Sequence, residues 1–350
     1  MAALPEPLIT VQSRKDYEDC EGETCAVQAL IDRAHEKTRE APRAHLGASL
    51  LGHPCDRWLW LTFRWAVIEN FDGRMLRLFR RGQREEETIV RDLRMAGISI
   101  SHTCLDDDGQ SRVDFGCHVS GSIDGIIDRG VPGAECTKHI AEFKTHSLKS
   151  FAKLKKEGVK EAKRQHWCQM QVYMLGKKLK RALYVAVCKD NDEMYTERIY
   201  FNKEAAEALV ARGHYLTLLE RIPEPLSTDS SWYQCKYCAG WDFCFGSKCT
   251  KEVNCRKCCH VTAFSDSTFK CARFNQILTA DDQLLGCEDH VMHPDLVPWI
   301  WKGGSSDNTC AKYIINGKEI LNGPPTFRSS SSKALLGLEP DTRIDVDIPF

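Results

Sequence analysis

The sequence predicts an α/β protein: a mixed central sheet flanked by helices, followed by a small cysteine-rich module and a β-rich tail. Three observations carry this. Runs of strand character alternate with segments of helical periodicity along the earlier part of the 350 residues. Charged residues stand inside two apolar strand segments, Gly121-Ser122-Ile123-Asp124-Gly125 and Ala141-Glu142-Phe143-Lys144-Thr145. Among 18 cysteines, two closely spaced sets follow one another between Cys235 and Cys287. With 42% hydrophobic and 9% aromatic residues, a chain of this length buries a sizeable core.

The elements follow in order. Residues 1–25 are polar, with Pro5 and Pro7 breaking what apolar character there is, and are expected to be loosely ordered. Residues 26–38 suit a helix, and 57–68 an aromatic-rich helix that buries Trp60 and Phe63. Gly82 opens a further helix, with Ile89, Val90 and Leu93 on its apolar face. Residues 119–127 read as a strand bent at its glycines, and 139–145 as the next strand. A strand's two-residue period puts Glu142 and Lys144 on one face and turns Phe143 the other way, into the core. In the helical pattern around Gln169-Met170-Gln171-Val172-Tyr173, Gln169 and Tyr173 lie roughly 40° apart at about 100° per residue. Trp167, Met170 and Met174 form a different, apolar face, which leaves the Gln/Tyr pair free to face a cleft. Residues 182–189 and 194–201 read as strands, and Asn202 caps a helix running to Arg221, ended by Pro223 and Pro225. Domain boundaries are expected at 26–248 for the main domain, 249–298 for the cysteine module and 299–350 for the tail.

The paired charges carry chemistry. A carboxylate on such a strand can hold a divalent cation, while the neighbouring ammonium stabilises charge on a scissile phosphate or orients a water. An isolated D…E-x-K arises by chance in many proteins; its weight here comes from its company. In order, the chain presents G-x-x-x-E (Gly82 to Glu86), Asp124-Gly125, Glu142-Phe143-Lys144 and Gln169-x-x-x-Tyr173. This ordered set resembles the PD-(D/E)XK (restriction-endonuclease-like) nuclease superfamily, and more narrowly its RecB-type branch of phage and four-cysteine exonucleases, over roughly residues 45–245. The resemblance implies a PD-(D/E)XK core in which Asp124, Glu142 and Glu86 hold Mg²⁺ or Mn²⁺. It also implies that Lys144 stabilises charge or orients water and that Gln169 and Tyr173 position the strand. Glu86 is preferred over Glu85 and Glu87 because it completes G-x-x-x-E. Many relatives carry a histidine, tied to metal binding and exonuclease behaviour, where Gln83 stands here; an amide is a poor substitute ligand.

Cysteine usage points to metal. No signal-peptide run is visible near the start, and no apolar stretch approaches the ~20 residues of a membrane span. A cysteine-rich chain without a secretion signal is expected to bind metal rather than form disulfides, in the cytoplasm and without a membrane partner; the resemblance implies that the cell is bacterial or phage-infected. Cys235, Cys238 and Cys244 form C-x₂-C-x₅-C, and Cys55 stands far upstream. Thiolates suit iron–sulfur clusters and zinc alike; the resemblance implies a 4Fe–4S staple on these four, with Zn²⁺ as the alternative. Cys255, Cys258, Cys271 and Cys287 read as a structural zinc site, with His290 the rival fourth ligand.

The formal net charge is −1, so no global basic field exists. Charge is local: residues 149–164 carry seven Lys/Arg (Lys149, Lys153, Lys155, Lys156, Lys160, Lys163, Arg164) against two Glu, a net of +5. Placed after the Glu-x-Lys strand, this stretch would neutralise phosphates and lead a strand to the metals. There is no P-loop, no second histidine after His35-Glu36 to make a zinc protease, and no G-x-S-x-G elbow. The expectation is a divalent-metal-dependent DNA exonuclease, hydrolysing phosphodiesters by in-line attack of water in phage recombination or end processing. Its partners would be single- or double-stranded DNA ends, with a recombination or single-strand-binding protein beside them. The function from a different class is a catalytically silent nucleic-acid-binding or assembly module on the same fold; an intact D…E-x-K favours the enzyme.

Overall fold

The computed structural model of the chain describes residues 23–38, 40–306 and 308–339. Most of the segment expected to be loosely ordered, with residues 340–350 of the tail, lies outside them. By its internal contacts the chain divides into two units, Met1–Ala41 with Asn70–Arg84, and Pro42–Glu69 with Glu85–Phe350. In the first, helix α1 (Glu23–Lys37) is joined by the beginning of a long helix that continues into the second unit. Glu36 accepts a hydrogen bond from Gly73 N–H at 3.0 Å, and Asp32 pairs with Arg77.

In the second unit β1 (Leu46–Gly47), β3 (Arg112–Asp114) and β4 (Val119–Ser122) form a small sheet in the order β1-β4-β3. The main sheet is built from β2 (Ser99–Ser101), β5 (Gly125–Arg129), β6 (His139–His146), β7 (Arg181–Cys188) and β8 (Met194–Tyr200), ordered β2-β5-β6-β7-β8. Strands β6 and β7 pair in parallel and all other neighbours antiparallel, so the sheet is mixed, as expected. The remaining helices of this part are α2 (Asp56–Phe63), α3 (Gly73–Met95), α4 (Leu148–Ala162), α5 (Arg164–Lys177) and α6 (Lys203–Leu218). Alternation along the strands splits the core in two. Ala141, Phe143, Leu183 and Val185 pack on one face against Ile89 and Val90 of α3, while Ile140, Ala182, Tyr184 and Ala186 pack with Phe151, Met170 and Met174 of α4 and α5.

Several expected boundaries move, each for a local reason. The segment 119–127 is two strands, not one bent strand: β4 and β5 belong to different sheets, with Ile123 and Asp124 between them. Gly82 does not open a helix but lies inside α3, whose start is set by Asp72 accepting from Met75 N–H at 2.7 Å. Helix α2 stops at Phe63 because Trp65 takes a left-handed φ of 53°, its indole donating to the Arg43 carbonyl at 3.0 Å. Asn202 caps α6 as expected, accepting from Ala205 N–H at 2.9 Å, but that helix ends at Leu218. Helix α4 is kinked at Gly158, whose φ of 73° and ψ of 170° suit glycine, and Glu197 accepts from the next amide, Val159 N–H, at 2.8 Å.

Beyond α6 lie the short helices α7 (Tyr233–Lys236) and α8 (Trp241–Phe245). A three-stranded sheet follows, β9 (Val261–Ala263), β10 (Phe269–Cys271) and β11 (Gln276–Leu278), with α9 (Ala280–Leu284). The β-rich tail is observed as β12 (Ile300–Gly304), β13 (Ala311–Ile315), β14 (Lys318–Asn322) and β15 (Ser329–Ser330), ending in α10 (Ser332–Leu335). Among the described residues no helix is long and apolar enough to cross a membrane. The cysteine module is not a free appendage. Cys258, Val261, Ala263, Phe269 and Cys271 belong to the main core cluster, and its anchor is Arg256, which has no solvent exposure. The guanidinium lies 3.8 Å from the Trp65 ring centroid and 4.3 Å from that of Phe269. It donates to the carbonyls of Phe63 and Ala44, both at 2.7 Å, and to Gln283 at 2.8 Å.

An alanine at Arg256 leaves a cavity and three acceptors without their donor. It should therefore destabilise the protein by about 3 kcal/mol in denaturant unfolding. A loss below about 1 kcal/mol would show that the module holds to the core without this cation.

Candidate active site

The break between β4 and β5 positions the first carboxylate. Ile123 is drawn into the main core, and Asp124 beside it is left only 12% exposed at the side chain. The pairing Gly125↔Ala141 continues to set Asp124 opposite Glu142, and Asp124 Oδ2 accepts from Phe143 N–H at 2.8 Å. The alternation expected along β6 is observed: Phe143 enters the core, while Glu142 and Lys144 share a face and form an ion pair. Lys144 Nζ also lies 3.8 Å from Asp124 Oδ2. Glu142 has no solvent exposure, and among the described residues its Oε2 has no hydrogen-bond partner.

The electrostatics follow from this burial. Burial pushes the Glu142 carboxyl up to about 8, with Lys144 pulling it down and Asp124 adding to the rise. Burial alone would lower the Lys144 ammonium, but Glu142 and Asp124 outweigh it and hold it above its ordinary value. Glu86, half-buried on α3, is raised to about 7 by burial and then by Asp124, against Lys144. Glu87, by contrast, is engaged with Arg91 at 3.2 Å.

Gln169 and Tyr173 behave otherwise than expected. They are 7% and 2% exposed, so they do not face an open cleft but form a buried wall of the site, because α5 is buried nearly all round from Trp167 to Met174. Gln169 Nε2 is 3.5 Å from Tyr173 Oη, and the phenol is raised by burial, Glu142 and Asp124. A Cβ at Gly121 would stand 3.0 Å from Tyr173 Oη and 3.1 Å from Ala48, so β4 meets α5 closely only because residue 121 has no side chain.

Further polar residues beside these were not read from the sequence. His146 continues the alternation of Glu142 and Lys144 on β6, Tyr184 is the register partner of Glu142 on β7, and His166 lies one turn before Gln169 on α5. Tyr184 Oη contacts His146 Nε2 at 2.8 Å and His166 Nδ1 at 2.9 Å. Burial holds both imidazoles neutral, His146 at about 4 and His166 at about 3, with nearby lysines adding to the shift. The signal was available in part, since a period of two from Lys144 reaches His146, and three residues back from Gln169 reaches His166.

Among the described residues, no three His, Cys, Asp or Glu side chains close up into a ready metal-ligating group. The donor chemistry nevertheless fits a hard divalent cation at the carboxylates: the orphaned Glu142 Oε2 and the neighbouring Asp124 offer oxygens only. Cys55, Cys235, Cys238 and Cys244 line one cavity of about 390 Å³, with Trp58, Tyr237 and Trp241 around them. The Cys238 thiol is raised by burial, then lowered by its hydrogen bond from Gly240 N–H and raised by the other three thiols. Thiols are ligands of iron–sulfur clusters and of zinc alike, so the lining suits either. In the module, burial raises the Cys255 thiol to about 11, and Cys287 and Cys271 push it in the same direction. Cys258 Sγ accepts from Val291 N–H at 3.4 Å. His290 has no ring nitrogen to spare, since Nδ1 is engaged with Ser332 Oγ at 2.8 Å and Nε2 with the Asn254 carbonyl at 3.0 Å. Of the basic stretch, Lys149, Lys153, Lys155, Lys156, Lys160 and Arg164 are exposed and Lys163 half-buried. Lys153 and Lys155 are partly neutralised by Glu157 and Glu193, and Lys160 and Arg164 lie over the Trp167 ring.

No family model and no curated protein matches the sequence. Solved structures similar in outline include one described as SSO0001, at 13% identity and a TM-score of 0.38, covering 63% of this chain and 96% of that one. An alkaline exonuclease (LHK-Exo) from Laribacter hongkongensis matches at 14% identity and a TM-score of 0.34, over 54% of this chain and 90% of that one. The same exonuclease in complex with dAMP matches at 13% identity, a TM-score of 0.35 and the same two coverages. At these scores the likeness is one of outline, and the functional reading rests on the side chains.

Because Glu142 and Glu86 are raised above the ordinary 4.5, to about 8 and about 7, their protonation favours the metal-free fold. Their contribution is full below about 4.5 and is lost as pH rises through the folded values. A divalent cation needs the ionised carboxylates, so the rise in melting temperature on adding Mn²⁺ should be larger at about pH 8.5 than at about pH 6. An equal rise at both pH values, or the same trend in the Glu142→Gln protein, would remove these carboxyls as the ligands.

Proposed function

We propose that the chain is a divalent-metal-dependent deoxyribonuclease that hydrolyses phosphodiesters at DNA ends. The observation that carries this is the meeting of Asp124, Glu142 and Lys144 at one spot, with Glu142 fully buried and one of its oxygens unpartnered. Such a carboxylate is costly to bury unless its charge has work to do. Asp124 and Glu142, with Glu86, would hold Mg²⁺ or Mn²⁺. A cation so held supplies Lewis-acid stabilisation of the phosphate and lowers the pKa of attacking water. Lys144, kept charged by its two carboxylates, stabilises negative charge building on the phosphate or orients the water for in-line attack. Tyr173 and Gln169, buried behind the carboxylates, fix their position. The exposed cations of α4 lie directly after β6 in the chain and offer a path for the phosphate backbone. A place in recombination or end processing, beside a single-strand-binding or recombination protein, belongs to the same proposal.

The cysteines are proposed as staples. A 4Fe–4S cluster on Cys55, Cys235, Cys238 and Cys244 would tie the approach to α2 to the segment after α6, and a zinc ion on Cys255, Cys258, Cys271 and Cys287 would hold the module.

Asp124→Asn, Glu142→Gln and Lys144→Ala should each lower cleavage by about a hundredfold or more without loss of folded protein. The assay is end-labelled linear DNA beside covalently closed circular DNA, with and without Mg²⁺. Loss of the linear substrate alone marks an exonuclease; undiminished cleavage by Glu142→Gln would end this assignment and leave a binding module.

Protein purified without oxygen should be brown and contain about four iron atoms and one zinc per chain. Cys55→Ala should bleach the colour and keep the zinc, and Cys258→Ala should do the reverse. Two zincs and no iron in protein handled anaerobically throughout would replace the cluster by a second zinc.

A further inference from the structure

A chain of hydrogen bonds runs beside the carboxylates through residues that the proposed chemistry leaves unused. Lys163 Nζ donates to Ser150 Oγ at 2.5 Å, and Ser150 Oγ lies 3.3 Å from His146 Nδ1. His146 Nε2 is 2.8 Å from Tyr184 Oη, which is 2.9 Å from His166 Nδ1. The two imidazoles stack with centroids 5.8 Å apart. His146 shares the face of β6 with Glu142 and Lys144, and Tyr184 stands beside Glu142 in the sheet.

Only the first of these bonds has a fixed direction: an ammonium donates, so Ser150 accepts from Lys163. In the proposed order the rest run in the same sense, with Ser150 giving its own proton to His146 Nδ1. A neutral imidazole that accepts at Nδ1 carries its proton on Nε2, so His146 donates to Tyr184. In that order Tyr184, accepting from His146, gives its own proton to His166 Nδ1. The last ring is thereby left with an N–H at Nε2, on a partly exposed residue within the field of Lys144. Among the described residues, no protein acceptor meets that nitrogen. A protonated Nε2 has no lone pair for a metal; it is a donor, suited to an oxyanion.

We propose that His166 is a phosphate-binding residue, its Nε2–H donating to a non-bridging oxygen of the substrate phosphodiester beside Lys144. Lys163, Ser150, His146 and Tyr184 are positioning residues that fix its tautomer. The inference rests on the nuclease reading for its ligand, a DNA phosphodiester.

The test uses the full chain and a fluorescein-labelled oligonucleotide, bound in Ca²⁺ and cleaved in Mg²⁺. His166→Ala should weaken binding about tenfold and lower kcat/KM by ten- to a hundredfold, as loss of a hydrogen bond to a charged group implies. Because a neutral donor releases no counterion, the salt slope of binding should not change. His166→Gln, whose amide nitrogen reaches about the Nε2 position, should restore most of the loss, and His166→Asn, which reaches Nδ1, should not. Nitrogen-15 NMR of histidine-labelled protein should show His166 as the Nε2–H tautomer, shifting to a mixture in Tyr184→Phe. Wild-type binding and cleavage by His166→Ala, in a protein that Glu142→Gln inactivates, would overturn the phosphate role and leave the nuclease reading standing. An Nδ1–H tautomer in the wild type would overturn it equally. A wild-type protein that neither binds nor cleaves would overturn both, and one that binds without cleaving still decides the role of His166 through the binding arm.

Discussion

A carboxylate with no solvent exposure, carried by an inner strand, constrains everything around it. Glu142 loses its hydration when β6 takes its place between β5 and β7, a cost of several kcal/mol for an ion left alone. Lys144 on the same face answers part of that cost, and Asp124, delivered opposite by the β5 pairing, shares the ammonium. Burial raises both Glu142 and Glu86, and Asp124 adds to the rise while Lys144 opposes it.

The surrounding fold keeps the arrangement rigid. Tyr173 can stand close behind the carboxylates only because Gly121 has no side chain, and Gln171 fixes α5 by donating to the Tyr200 carbonyl and accepting from Asn202 N–H. The kink at Gly158 bends the cationic helix before it ends at Ala162, and α5 starts beyond Lys163. Thus one α-helical hairpin brings the exposed lysines, the half-buried Lys163 and the partly exposed His166 to the same face of the sheet as Glu142.

The far part of the chain serves the core by cation and stack rather than by its cysteines alone. Arg256, which pairs with no carboxylate among the described residues, is held between Trp65 and Phe269 and satisfied by two carbonyls and Gln283, so the module and the main core share one interior. Tyr313 of the tail donates to the Met292 carbonyl at 2.5 Å, and Asn322 accepts from Met292 N–H at 2.7 Å, carrying the same continuity onward.

By itself the sequence determined the alternation on β6, the strands β7 and β8, the Asn202 cap and the Trp167, Met170 and Met174 core face. Those are consequences of period and capping, which act over a few residues. Glu142 and Lys144 were legible for the same reason. Tertiary structure decided that 119–127 divides between two sheets, since hydrogen-bond partners rather than propensity define a strand. It decided that Gln169 and Tyr173 are walled in, because helical periodicity tells which residues share a face but not what packs on it. It also decided that His146, Tyr184 and His166 meet: each lies on a different element, and only the β6–β7 register and the packing of α5 bring their ring atoms within hydrogen-bond reach. Nothing in the local sequence marks Arg256; only the aromatic cage assembled from distant segments makes it an anchor.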